Sequence, residues 1–160
     1  MKTPGDAVLI ARGVPRWLLL LCPCGCGEVL PINLDGRAGK AWRLYLNKRH
    51  GLSIYPSVWR DTGCGSHFVI WRDQISLFDH DYYDDYQPID ADELQRLVDI
   101  VRLKLDPYRP RSYVEIADEL EAVPWDVLRA CRKLVRAGEA REGHNEHRGE
   151  FRASKRSQLR

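Results

Sequence analysis

The sequence predicts an α+β protein: a small metal-stabilised β-rich domain (residues 1–80), an acidic linker (81–89) and a helical domain with a basic tail (90–160). Three observations lead there. From Ala7 to Phe78, short apolar runs are cut by Gly, Pro, Asp and Asn, the pattern of short strands and tight turns. After Asp90, apolar residues recur at three- and four-residue intervals, the period of amphipathic helices. Four of the five cysteines fall in two turns, Cys22-Pro23-Cys24-Gly25-Cys26 and Cys64-Gly65-Ser66-His67, with 37 residues between them. That is how two chelating knuckles on a small β-fold assemble a tetrahedral metal site.

Along the chain, the expected strands are 7–11, 17–22, 29–34, 42–46, 52–54, 67–71 and 75–78. The last two form a hairpin about residues 72–74. Asp79 to Ile89 is acidic and tyrosine-rich, but it lacks the glycine and terminal glutamate of a calcium loop and reads as a solvated linker. Asp90 or Asp92 caps a first helix carrying Leu94, Leu97, Val98, Ile100, Val101 and Leu103, which stops before Pro107. Ser112 caps a second helix, with Glu115 as its capping-box partner. Pro124 opens a third that runs to Ala137, and Gly138 closes it. Cys131 lies on the same helix face as Val127, Leu134 and Val135, so it is read as a core thiol. Two short strands follow, around residues 143–149.

Zinc is the ion that best suits these donors: it takes four thiolate or imidazole ligands and needs no redox chemistry. The candidates are Cys22, Cys24, Cys26, Cys64 and His67, one more than a closed site uses. Cys24, Cys26, Cys64 and His67 are preferred because Gly25 and Gly27 loosen that end of the first turn; Cys22 with Cys24 remains open. Three cysteines and a histidine also suit a [2Fe–2S] cluster, and the set resembles the ligands of CDGSH iron–sulfur proteins and the two-loop layout of Rieske domains. The spacings differ from both.

Three helices, a tight turn before the third and a hairpin after it resemble a winged helix-turn-helix, carried by Ile116-Ala117, Leu120, Val127, Cys131, Leu134-Val135 and Ala137-Gly138. The resemblance implies a third helix presenting Trp125, Asp126, Arg129, Arg132, Lys133 and Arg136, and a wing presenting Arg148 and Arg152. Those cations would meet DNA phosphates, or Trp125 would anchor a protein partner. His50, His144 and His147 are read as ordinary surface histidines.

Leu21 to Gly27, Pro56-Ser57 and Gly63 to Ile70 resemble an uncharacterised bacterial family with a cysteine/histidine zinc site. Its members often lie beside ubiquitin-like proteins and their E1- and E2-type enzymes. The resemblance spans about residues 15–80. It implies an accessory role in ubiquitin-like conjugation, with a ubiquitin-like or E2-type partner, and no particular reaction.

Composition narrows the classes further. The net charge of +2 conceals an asymmetry: residues 81–126 carry 5 Lys/Arg against 13 Asp/Glu, and residues 127–160 carry 10 against 4. An acidic middle and a basic end suggest separate surfaces for separate partners. The run Trp17 to Leu21 is too short to span a bilayer and lacks the features of a signal peptide. Clustered free thiols suit a reducing compartment, so a cytoplasmic location is expected. There is no phosphate loop, nucleophile–base signature or paired-acid motif to name a reaction. The sequence therefore favours binding over catalysis: a DNA-binding regulator or a zinc-binding adaptor.

Overall fold

The computed structural model describes residues 1–78 and 89–155. It is a mixed α/β structure of small antiparallel sheets and three helices, divided into two compact units, Met1–Pro88 and Ile89–Arg160. The acidic segment expected to be a linker lies, apart from Ile89, outside the described residues, as does the tail beyond Lys155.

In the first unit, β1 (Ala7–Arg12), β2 (Val14–Leu21) and β3 (Val29–Asn33) form a meander in the order β1-β2-β3. Side chains alternate across a strand, so Leu18 and Leu20 point inward along β2, Cys22 continues the row just past its end, and Leu30 and Ile32 join from β3. A second pair, β4 (Arg43–Asn47) and β5 (Gly51–Tyr55), adds Ile54. The third sheet is β6 (Val58–Trp59), β7 (His67–Trp71) and β8 (Gln74–Leu77), in that order, and supplies Val58, Phe68 and Ile70 to the same core. Phe68, Leu20 and Ile54 are fully buried, each adding about 1.5–3 kcal/mol of apolar transfer free energy.

The β7–β8 hairpin turns on Arg72 and Asp73, at φ 54° and 59°, the left-handed pair that a two-residue turn needs. This turn also ties two sheets together. Asp73 N–H donates to Leu52 C=O at 2.9 Å, Leu52 N–H donates to the Asp73 carboxylate at 2.6 Å, and Arg72 N–H donates to Ser53 Oγ at 2.9 Å. Gly51 completes the joint: a Cβ there would lie 1.8 Å from Asp73 Oδ2, and its φ is +69°.

The second unit holds α1 (Ala91–Lys104), α2 (Tyr113–Glu119) and α3 (Pro124–Arg136). Asp90 caps α1 by accepting from Glu93 N–H, and Ser112 with Glu115 forms the expected capping box on α2. Gly138, at φ 74°, closes α3: Gly138 N–H donates to Val135 C=O and Glu139 N–H to Leu134 C=O. Three strands, β9 (Arg111–Ser112), β10 (Ala140–Glu142) and β11 (Glu150–Ala153), pair in the order β10-β11-β9. The core gathers Leu94, Val98, Val101, Ile116, Ala117, Val127, Ala130, Leu134 and Phe151, with Cys131 buried among the apolar residues of α3. Burial pushes that thiol up to about 12, so it stays a neutral core group. Among the described residues no helix is long and apolar enough to cross a membrane.

Candidate metal centre and a serine–histidine pair

The first knuckle is the turn between β2 and β3. Cys22 N–H donates to Glu28 C=O at 2.8 Å and Gly25 N–H to Cys22 C=O at 3.2 Å, folding the intervening residues back on themselves. Gly25 and Gly27 take φ of 86° and 81°, values that only glycine adopts cheaply. The second knuckle joins β6 to β7. It is closed by Arg60 N–H to Ser66 C=O at 2.9 Å, and a Cβ on Gly63 would meet the Arg60 guanidinium at 2.9 Å.

These turns bring the thiols of Cys22, Cys24, Cys26 and Cys64 within 4.8 Å of one another, close enough to hold a metal ion. Cys22 Sγ stands 3.3 Å from Cys24 Sγ and 3.7 Å from Cys64 Sγ. A tetrahedral ion with metal–sulfur bonds of about 2.3 Å needs sulfur–sulfur edges of roughly 3.8 Å, so the donor set fits a single ion. Cys22 is buried and the other three are exposed; one thiol thus roots the group in the core while the rest face outward.

The surroundings favour a thiolate at Cys64. Ser66 Oγ lies 3.2 Å from Cys64 Sγ and 3.3 Å from Cys22 Sγ, and Arg60 Nη1 lies 3.5 Å from Cys64 Sγ while also pairing with Glu28. The Ser66 hydroxyl and backbone N–H outweigh desolvation and hold Cys64 down at about 6. Cys24 responds the other way. The Cys26 backbone N–H favours its thiolate, but contact with the Cys22 thiol, desolvation and the Cys26 and Cys64 thiols together push it up to about 12. Four crowded thiols cannot all ionise unless a cation joins them.

His67, preferred as a ligand from its spacing to Cys64, stands outside this group of four thiols. It is the first residue of β7, and its ring meets a different set of residues. Its Nε2 lies 2.9 Å from Ser57 Oγ, and its ring centroid is 4.0 Å from that of Phe78 and 6.2 Å from that of Trp59. Ser57 is fixed in turn, because its C=O accepts from Trp42 Nε1 at 3.2 Å. Both Ser57 and His67 are half-buried. Burial lowers the His67 pKa from its ordinary 6.5, so the imidazole is neutral at neutral pH and free to accept a proton. A hydroxyl held by a neutral imidazole is the arrangement that activates a serine nucleophile.

Sequence reasoning missed this pair, since Ser57, just before β6, and His67, at the start of β7, sit ten positions apart with no local motif between them. The cue was Pro56-Ser57, shortly before the second knuckle and part of the stretch that carries the family resemblance.

In the second unit the expected outward face of α3 is largely closed. Trp125, Asp126 and Arg129 are buried, Arg132 and Lys133 are half-buried, and Arg136 is exposed. The enclosure runs without a break from Pro124 to Cys131, so it covers more than one side of the helix. Arg148 and Arg152 are exposed as expected, and with Arg141, Pro110 and Val135 they line a groove of about 830 Å³.

Residues 1–78 match the family model described as "Bacterial ubiquitination-like system serine protease (BubE)". The similarity thus spans both knuckles, Ser57 and His67. No curated protein and no solved structure matches the chain.

Proposed function

We propose that the chain is a serine hydrolase of a bacterial ubiquitination-like system, with Ser57 as nucleophile and His67 as general base. One observation carries this reading: the 2.9 Å contact between Ser57 Oγ and His67 Nε2, inside the stretch similar to a family described as a serine protease of such a system. Ser57 Oγ would attack the carbonyl carbon of an amide or ester that joins a modifier to its target, passing its proton to His67 Nε2. As the tetrahedral intermediate collapses, the carbon–heteroatom bond breaks and the imidazolium returns that proton to the leaving amine or alcohol. Water, deprotonated by the same imidazole, then attacks the acyl–serine ester; the proton passes to Ser57 Oγ as the ester bond breaks, and the acyl product leaves as a carboxylic acid. This role replaces the non-catalytic adaptor expected from sequence and keeps the expected ubiquitin-like context.

The metal centre is proposed as a closed structural zinc site of Cys22, Cys24, Cys26 and Cys64. Its donor set differs from the preferred one by exchanging His67 for Cys22, which leaves the imidazole available for proton transfer. All four thiols fit about one atom, whereas a [2Fe–2S] cluster would hold them as two separated pairs. Zinc bound there would close the second knuckle at Cys64, three residues before His67, and so set where β7 begins. The C-terminal unit is proposed as a winged helix that docks a protein of the same system, because the enclosed Trp125 and Arg129 leave little of α3 to enter a DNA groove.

The test is labelling by a fluorophosphonate probe together with cleavage of a modifier conjugate. Wild-type protein is expected to label at Ser57, and Ser57→Ala and His67→Gln to lower cleavage by at least about a hundredfold at unchanged zinc content. Cleavage that survives Ser57→Ala would sink the hydrolase reading. A salt-dependent DNA shift lost on Arg148→Ala plus Arg152→Ala would reverse the assignment of the second unit.

A further inference from the structure

We infer that the substrate enters the Ser57–His67 site as an extended segment pairing with the open edge of β6, and that Trp59 determines specificity for that segment. The inference rests on the hydrolase reading above. In the sheet order β6-β7-β8, β6 is an outer strand. Arg60 N–H bonds to Ser66 C=O, and the register sets Trp59 opposite His67. Hydrogen-bonded and non-bonded pairs alternate along an antiparallel ladder. Trp59 and His67 are therefore a non-bonded pair, and the Trp59 N–H and C=O point away from β7. Among the described residues no strand pairs with that edge; just before β6 the Ser57 C=O accepts from Trp42 Nε1 at 3.2 Å, so the open stretch is that of Trp59.

Side chains of β6, of the residue before it and of β7 complete the site. Val58 and Phe68, directly opposite each other, are buried on one face. Side chains alternate, so Ser57, Trp59 and His67 share the other face. Trp59 is 70% exposed there, whereas Trp71 and Trp125 are 7% and 8% exposed. An exposed indole beside a nucleophile offers a large contact area at little entropic cost.

An unpaired edge recognises any chain that presents free backbone amides, and its spacing then fixes where the carbonyls fall. A segment lying about 4.8 Å from β6 and paired with Trp59 would bring a carbonyl two residues along to the level of Ser57 Oγ. The ligand class is thus a flexible peptide tail carrying the scissile acyl group, and a folded loop whose amides are already paired would be excluded. Arg60, held by Glu28, marks the end of the strand and limits the pairing to a few residues.

Two synthetic substrates with the same leaving group test this: an acetylglycyl ester and a tetrapeptidyl ester ending in glycine. Wild-type protein is expected to prefer the tetrapeptide by roughly tenfold or more in kcat/KM, mostly through KM. N-methylation of the amide that pairs with Trp59, or Trp59→Ala, should bring the long-to-short ratio towards one. Trp59→Phe, which keeps an aromatic platform, should restore most of it. A long-to-short ratio near one in wild type, or a ratio that survives both N-methylation and Trp59→Ala, would overturn the inference while Ser57 labelling leaves the hydrolase reading standing. Failure of Ser57 to label would overturn both.

Discussion

His67 shows how one side chain's surroundings select its chemistry. Judged by spacing, a histidine three residues after a cysteine in a glycine-containing turn is a natural zinc ligand. In the fold that turn ends at Ser66, and from His67 onward the strand pleat decides direction, which delivers the imidazole to Ser57. The spacing of Cys64 was legible because chelating turns are local; the partnership of His67 was not, because it depends on which strand lies alongside. The titration of His67 follows from its burial. An imidazolium is penalised there, so the proton leaves at a pH below the ordinary 6.5. Hydrolysis needs the neutral ring, and kcat/KM should therefore hold as pH falls to about 6.5 and drop only beneath it. A pH–rate profile of the tetrapeptidyl ester, with an acid limb centred at or above 6.5, would show that this histidine is not the base.

At the scale of elements, legibility tracked length and punctuation. The three helices were readable from Asp90, Ser112 and Pro124 at their starts, because caps are local hydrogen-bond requirements. The longer strands showed as apolar runs, whereas β6 and β9 hold two residues each and carry no period. The face of α3 was misjudged for a related reason: a helical pattern reports which residues prefer burial, but not how many sides of the helix are covered. The β10–β11 hairpin has an unusual electrostatic feature. Arg141 and Arg152 stand directly opposite each other, and both are exposed. Like charges facing across a strand pair destabilise it by a few tenths of a kcal/mol. Most surface electrostatics weaken as salt rises, but here screening removes a repulsion. Amide exchange in β10 and β11 should slow as ionic strength rises from about 0.05 to 0.5 M; faster exchange would mean that the arginines are already neutralised.

For the whole molecule, the thiols and the apolar core cannot be treated as separate sources of stability. The first unit has three small sheets, none with a large interior of its own, and it draws Leu18, Leu20, Ile54 and Phe68 around one centre that also includes Cys22. A small domain of this kind commonly relies on a metal to hold together. Chelation with a strong zinc ligand is expected to lower its unfolding midpoint and to abolish Ser57 labelling in parallel, and added zinc should restore both. If labelling persists after the metal is removed, the centre does not position the reactive pair.

The placement of Cys22 in both the core and the thiol group has a consequence outside the test tube. A protein stabilised by a bound ion gains about 1.4 kcal/mol for every tenfold rise in the free ion above its dissociation constant. The fraction of chains that are folded, and so escape proteolysis, would then follow the cell's zinc supply. On the proposed hydrolase and zinc readings, zinc scarcity would let conjugates persist through degradation of the protein, with no inhibitor and no change in its synthesis.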